Sequence, residues 1–268
     1  MTTKHALLLM VVAVVGCGRL STDAEDAADA VETTESTSNE SALMDLTAVD
    51  SSVSMCSFSS DQVAGAAIRR LQSNVRASGC VTATQAGSAV DYVMNACTGK
   101  WGRLTVTGTV HVVYTANPDC SVQAVATGTG IKVNKATVDL DATATFSRDA
   151  NGVEKIVVST HSKGAGPNAQ LDHSGNYTVV RDSGTGELCR SLDGSWSTDW
   201  SAARGSATTS TNATGIKKCG DACPAAGGQV VHNGFGGRVV TVTFDGSPVA
   251  QWSSSKGKSG TIDLDCAP

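Results

Sequence analysis

The chain has 268 residues, a formal net charge of −5, 40% hydrophobic residues and only 4% aromatic ones. That length allows one large domain or two small ones, with a core built from small and β-branched side chains. Charge is uneven: residues 18–50 hold nine acids against Arg19 alone, giving −8, while residues 51–268 carry +2. A nearly neutral domain offers no concentrated basic face, which excludes nucleic acid as a partner on electrostatic grounds.

The start reads MTTKHALLLMVVAVVGC: a basic head, the apolar run Ala6–Val15, then Val14-Val15-Gly16-Cys17. The run is too short for the roughly 20 residues of a spanning helix and fits a secretory signal. No A-x-A-like cleavage site ends it; a cysteine stands there instead. This ending resembles the lipobox of bacterial lipoproteins, although Val14 stands where those motifs most often carry Leu. The resemblance covers residues 1–17 only. It implies removal of residues 1–16, thioether attachment of diacylglycerol to Cys17, and acylation of the new amino group by a fatty acid such as palmitate. Several acyl chains at about 0.8 kcal/mol per buried methylene give stable anchoring. Gly18, rather than Asp, after the cysteine points to the outer membrane within the cell envelope.

Residues 17–52 follow as a lipidated N-terminus and an acidic segment without aromatics. Such a segment buries too little apolar surface to offset ordering entropy, so the expectation is a disordered tether. Ala-Glu-Asp-Ala-Ala-Asp-Ala favours helix locally, but nothing nearby would hold it. As a coil of about 33 residues the segment reaches roughly 30 Å. Residues 53–268 are then a disulfide-rich, mostly β domain.

That domain opens with two expected helices. Ser59-Ser60-Asp61-Gln62 offers a capping box, followed by a face of Val63, Ala67, Ile68, Leu71 and Val75. Ala86, Ala89, Val90, Val93, Met94 and Cys97 recur at spacings of three and four from about Thr84. With Gly79–Ala83 as the link, this predicts an α-helical hairpin.

From Trp101 the period becomes two. Leu104, Val106, Val110, Val112 and Tyr114 alternate with threonines and His111, and Val138 to Phe146 repeat the pattern. Alternation of this kind marks half-buried antiparallel strands. Further candidates are Val153–Thr160, Asn176–Arg181, Glu187–Leu192, Ser195–Trp200, Gly228–His232, Val239–Phe244, Val249–Trp252 and Thr261–Cys266. Asp193-Gly194 reads as a two-residue hairpin turn, and Ser201–Gly215 as a strand or a long loop. The fold class expected is mainly β: a large antiparallel meander of about ten strands, as a curved sheet, a sandwich or a barrel.

Nine cysteines are an odd number. Setting Cys17 aside leaves Cys56, Cys80, Cys97, Cys120, Cys189, Cys219, Cys223 and Cys266, enough for four disulfides in an oxidising compartment. A helix between Cys80 and Cys97 would be about 21 Å long and would separate them beyond disulfide reach. The helical hairpin therefore predicts Cys56–Cys97 and Cys80–Cys120, and a Cys80–Cys97 bond would overturn it. Strand order suggests Cys223–Cys266 and Cys189–Cys219, with other connectivities open, a local Cys219–Cys223 loop among them.

Chemistry-bearing patterns are sparse. Asp172-His173-Ser174 has the letters of a triad, but neighbours on an extended chain point to opposite faces and cannot converge. Thr160-His161-Ser162-Lys163 fails for the same reason. Asp139 and Asp141 share a face but are too few for calcium. Trp196, Trp200 and Trp252 fit core packing better than a binding platform. No metal ligands, cofactor or catalytic residues are assigned. The expectation is a membrane-anchored envelope lipoprotein with a non-catalytic binding or structural role, partnered by the membrane and by an envelope protein. The alternative is a carrier of lipid or another apolar ligand, and an extracellular enzyme comes third.

Overall fold

A computed structural model describes residues 22–28, 30, 31, 34, 55–74, 79–98, 105–133, 136–165, 169–182, 189–202, 205–219, 222–234, 236–264 and 266. Cys17 and the leader lie outside these residues, as do Val75 and Leu104.

Among the described residues, thirteen strands form one antiparallel sheet in simple meander order. They are β1 Val81–Ala86, β2 Ala89–Thr98, β3 Thr105–Ala116, β4 Val122–Val133, β5 Ala136–Arg148, β6 Glu154–Ala165 and β7 Ala169–Asp182. β8 Cys189–Ala202, β9 Gly205–Cys219, β10 Gln229–Asn233, β11 Val239–Thr243, β12 Val249–Ser254 and β13 Ser259–Asp263 complete the order. Among the described residues no ladder joins β1 to β13, so the sheet is open rather than a closed barrel.

Alternation decides its two faces. In β6, Ile156, Val158, Thr160 and Ser162 are buried while Lys155, Val157, Ser159, His161 and Lys163 are exposed. The inner face of β1–β8 is an apolar cluster with Val90, Tyr92, Val112, Tyr114, Val122, Phe146 and Ile156 at its centre. A second cluster covers β8–β13 with Trp196, Val230, Val240, Val242, Phe244 and Trp252. Burial this deep on one face of so wide a sheet requires the sheet to curl, as wide twisted sheets do. Register shifts at Met94/Cys97, Thr107/His111, Gly128/Ile131 and Leu192/Gly194 supply local bends.

Among the described residues, two α-helices cover the inner face. α1 is helical over residues 23–28 and again at 30, 31 and 34. α2 is Ser60–Asn74, preceded by a 3₁₀ turn at Met55–Ser57. The Ser59–Gln62 capping box forms in both directions, with Gln62 N donating to Ser59 Oγ and Ser59 N donating to Gln62 Oε1. Val63, Ala64, Ala66 and Ala67 of α2 are buried among strand side chains, and Ile68 packs beside them.

The second predicted helix is corrected. Residues 81–98 are the β1–β2 hairpin, with Ala86 paired to Ala89 across Gly87-Ser88. Gly87 has φ +61°, and glycine at the first position of a two-residue turn is the type II′ arrangement. The helical spacing was a coincidence of alanines, since Val90, Tyr92 and Met94 alternate inward while Val93, assigned to the helix core, is 46% exposed. The disulfides change accordingly. The hairpin returns Cys97 to Cys80, and they bond with Cα atoms 5.2 Å apart. Cys56 bonds Cys120 instead of Cys97, tying the entry of α2 to the β3–β4 turn. In the C-terminal half the pairs are Cys189–Cys219 and Cys223–Cys266.

Two further corrections concern strands. Asp193-Gly194 is not a turn but a bulge inside the continuous β8. A Cβ on Gly194 would lie 2.6 Å from Asn176 O and Tyr177 Cα, so glycine here admits close backbone approach. Ser201–Gly215 belongs mostly to β9, and β4 was not expected because its glycines and alanines blur the alternation.

The acidic segment also departs from expectation, since part of it is helical and seated. Thr22 and Glu25 form a capping box, Glu25 N donating to Thr22 Oγ1 at 3.2 Å. Ala27 and Ala30 are fully buried with Val230, Val240 and Trp252. What holds α1 is far away in sequence: Arg238.

Candidate functional site

Polar groups that are not spent on folding collect in two places on β5–β10, one on each face. On the outer face, antiparallel register lines up Asp139, Lys163, Asp172, Asp199 and Thr208 as direct neighbours on five successive strands. Beside them runs a second row: Asp141, His161, Ser174, Ser197, Ser210 and Asn233. His161 Nε2 lies 2.7 Å from Asp172 Oδ1, and Lys163 Nζ is 3.8 Å from Asp172 Oδ2. Thr208 Oγ1 donates to Asp199 Oδ1, and Ser174 Oγ shares a hydrogen bond with Ser197 Oγ at 3.2 Å. Asp172 and Asp199 face each other directly, and like charges in such a pair are destabilising. A cleft of about 540 Å³ wraps the rim at this end of the strands, with those acids on one side and Leu171 and Trp200 on the other.

On the inner face the apolar lining gives way to Thr160, Ser162, His173, Thr198, Thr209, Thr211 and His232, with Trp196 among them. His173 Nδ1 is 2.9 Å from Thr198 Oγ1, and His232 Nδ1 is 2.9 Å from Thr211 Oγ1. The other ring nitrogen of each, and Trp196 Nε1, are buried with no hydrogen-bond partner among the described residues. Burial holds both histidines below the ordinary range, against the pull of Asp172 on His173 and of Asp26 on His232. These are neutral imidazoles in a hydroxyl-lined interior.

The geometry decides what the sequence motifs can do. His173 faces inward while Asp172 and Ser174 face outward, so that trio does not converge. Register supplies a different trio: His161 on β6 stands opposite Ser174 on β7 and bonds Asp172. Sequence reasoning missed it because the histidine comes from the neighbouring strand. The signal was the short connection between β6 and β7, since Lys163/Asp172 and His161/Ser174 lie symmetrically about its midpoint in sequence. As a catalytic device the trio is poor. Ser174 bonds Ser197 rather than the imidazole, and strand N–H groups here are committed to the ladder rather than aimed at an oxyanion. His111 forms a similar outer pair with Asp91 at 2.7 Å. Asp139, weighed for calcium, accepts a hydrogen bond from Gly130 N. Among the described residues no group of three or more His, Cys, Asp or Glu side chains is placed to hold a metal. Trp196 and Trp252 are core residues, and Trp200 alone of the three reaches the cleft.

The third polar cluster holds α1. Arg238 Nε sits 2.5 Å from Asp26 Oδ2 and 3.6 Å from Asp23 Oδ1, and Ser254 Oγ donates to Asp23 Oδ2. Asp26 is fully buried, and a Cβ on Gly234 would fall 2.6 Å from its carboxylate carbon. The hydrogen bond to Asp26 raises the Arg238 pKa further, so the guanidinium stays charged. The Thr22-x-x-Glu25 capping box was the available sequence signal for this helix; no local signal names its partner.

The arrangement as a whole can bind polar groups on its outer rows and rim, while its interior is structural. Compared with known proteins, the chain matches no protein-family model, no curated protein and no solved structure.

Proposed function

We propose that this protein is a lipid-anchored component of the bacterial cell envelope, outer membrane in the first instance, whose disulfide-stapled sheet serves binding or structure rather than catalysis. The observation that carries the reading is cysteine use. All eight cysteines from Cys56 onward close into four disulfides, which leaves Cys17 of the lipobox-like segment as the odd one. Disulfides in that number favour an oxidising compartment, and the signal-like start supplies the route there.

The His161–Asp172–Ser174 group, with Ser174 bonded to Ser197 rather than to the imidazole, favours a binding role over hydrolysis, and the rim cleft with its acids and Trp200 is the surface we assign to a polar partner. Carriage of apolar cargo has less support. The inner face is packed with Tyr92, Tyr114, Phe146 and Ile156, and turns to hydroxyls at its centre.

Cell fractionation and intact mass test the reading together. The parent protein should appear in the membrane fraction with added diacylglycerol and acyl mass, and Cys17→Ala should move it to the soluble fraction. A Cys17→Ala protein that stays membrane-bound, with no lipid mass on the parent, would contradict it.

A further inference from the structure

We propose that α1 seats the domain directly on the bilayer, holding the Gly234–Arg238 and Ser254–Lys258 turns of β10–β13 against phospholipid headgroups. The proposal rests on Cys17 as the lipid site. Its geometric basis is where α1 starts. Thr22 caps the helix, Asp23 bonds Ser254, and Asp23 and Asp26 both meet Arg238. The start of α1 therefore lies over two turns that share one end of the sheet.

Only five residue steps separate Cys17 from Thr22, and a fully extended chain covers about 18 Å in that distance. The turns are thus leashed close to the membrane surface. Without the docked helix, the 37 residues between Cys17 and Met55 would act as a coil of about 33 Å root-mean-square reach with no preferred orientation. Docking converts a long tether into a short one and fixes which end of the sheet faces lipid.

Lys256 and Lys258 are exposed on the β12–β13 turn; of the acids in the first turn of α1, Asp23 and Asp26 are buried on Arg238 while Glu25 is exposed. Each exposed lysine beside an anchor is attracted to anionic headgroups. Lys217 and Lys218 mark the opposite end, at the far terminus of the 15-residue β9.

The test uses the full lipidated protein in phosphatidylethanolamine–phosphatidylglycerol nanodiscs containing a gadolinium-chelate headgroup lipid. Amide signals of Gly234, Arg238 and Lys256 should lose several-fold more intensity than those of Lys217 and Lys218. Gly234→Ala, which wedges a methyl group against the Asp26 carboxylate, should abolish that gradient with the sheet spectrum retained. Arg238→Gln attacks the same contact from the other partner and should do the same. Equal broadening at both ends, on protein whose intact mass carries lipid, would overturn the seating while leaving the anchor standing. Intact mass without lipid would overturn the anchor and the seating with it.

Discussion

The two halves of the sheet are covered by helices held in opposite ways. α2 lies on β1–β3 through Val63, Ala64, Ala66 and Ala67, is pinned at its entry by Cys56–Cys120, and takes a hydrogen bond between Ser60 Oγ and Ala116 N. α1 lies on β10–β12 through two alanines and Val31, and its specificity comes from two buried carboxylates on one guanidinium. Apolar burial with a covalent staple is non-directional and persistent. A buried ion pair is directional, and losing either partner leaves an uncompensated charge. α2 is therefore stapled into the folding unit, whereas α1, held by an ion pair and three small apolar side chains, should undock before the sheet unfolds.

The largest expected effect is on the covalent side of that comparison. Cys56–Cys120 closes a 64-residue separation, for which the chain-entropy model gives about 4 kcal/mol. A Cys56→Ser/Cys120→Ser variant should therefore lose about 4 kcal/mol in denaturant unfolding. Removing Cys80–Cys97, which spans 17 residues, should cost about 3 kcal/mol.

Next comes a pair of arginines. Arg181 meets Glu154 at 2.9 Å between adjacent long strands, with side chains 10% and 18% exposed. Neither strand can swing away to hydrate the carboxylate, so Arg181→Ala should lower global stability by about 2 kcal/mol. Arg238→Ala removes the partner of a more deeply buried acid, yet its global cost should be smaller, about 1 kcal/mol or less, because undocking of α1 limits the penalty. Equal losses in urea unfolding would erase the distinction between the halves.

A smaller effect tests the interior of the first half. Tyr92 and Tyr114 share a buried hydroxyl contact at 3.0 Å. Tyr114→Phe should cost about 1 kcal/mol by stranding the Tyr92 hydroxyl, and the double Phe variant should recover most of it. Burial, opposed by the Tyr114 contact, raises the Tyr92 pKa to about 12. Its neutral form is thus favoured in the fold, and its contribution is whole below the unfolded value near 10 and lost as pH rises through about 12.

The smallest effect is acidic. His173 and His232 are both held below the ordinary value by burial, so the unfolded chain binds their protons more readily. Their contribution is whole above about pH 6.5 and declines as pH falls below it. Thermal unfolding from pH 7.5 to 5.5 should show that decline, and His173→Gln/His232→Gln should flatten it.

Legibility in the sequence followed periodicity. β3, β5, β6 and β11 were readable because Val, Tyr and Phe alternate with Thr and Asp, and one face is buried. β2 was misread because Ala86, Ala89 and Val93 satisfy a helical period as well as a strand, and only the Gly87-Ser88 turn breaks the tie. The Cys80–Cys97 pair then followed the error, since a strand hairpin returns a chain to its start and a helix does not. The helical tendency of α1 is legible in its local sequence, but its docking is not. Its capping box is local, but its partner Arg238 stands 212 residues away from Asp26, and no periodicity encodes that distance. The His161–Asp172–Ser174 surface was hidden likewise, because register rather than spacing brings it together.

Hydrogen–deuterium exchange on the full protein and on Arg238→Ala bears most directly on the two-cover account. Amides of residues 26–28, 30 and 31 should be protected in the parent and exchange freely in Arg238→Ala, while protection across Val63–Ala67 and β3 is unchanged. Loss of protection in both helices at once, or in neither, would contradict it.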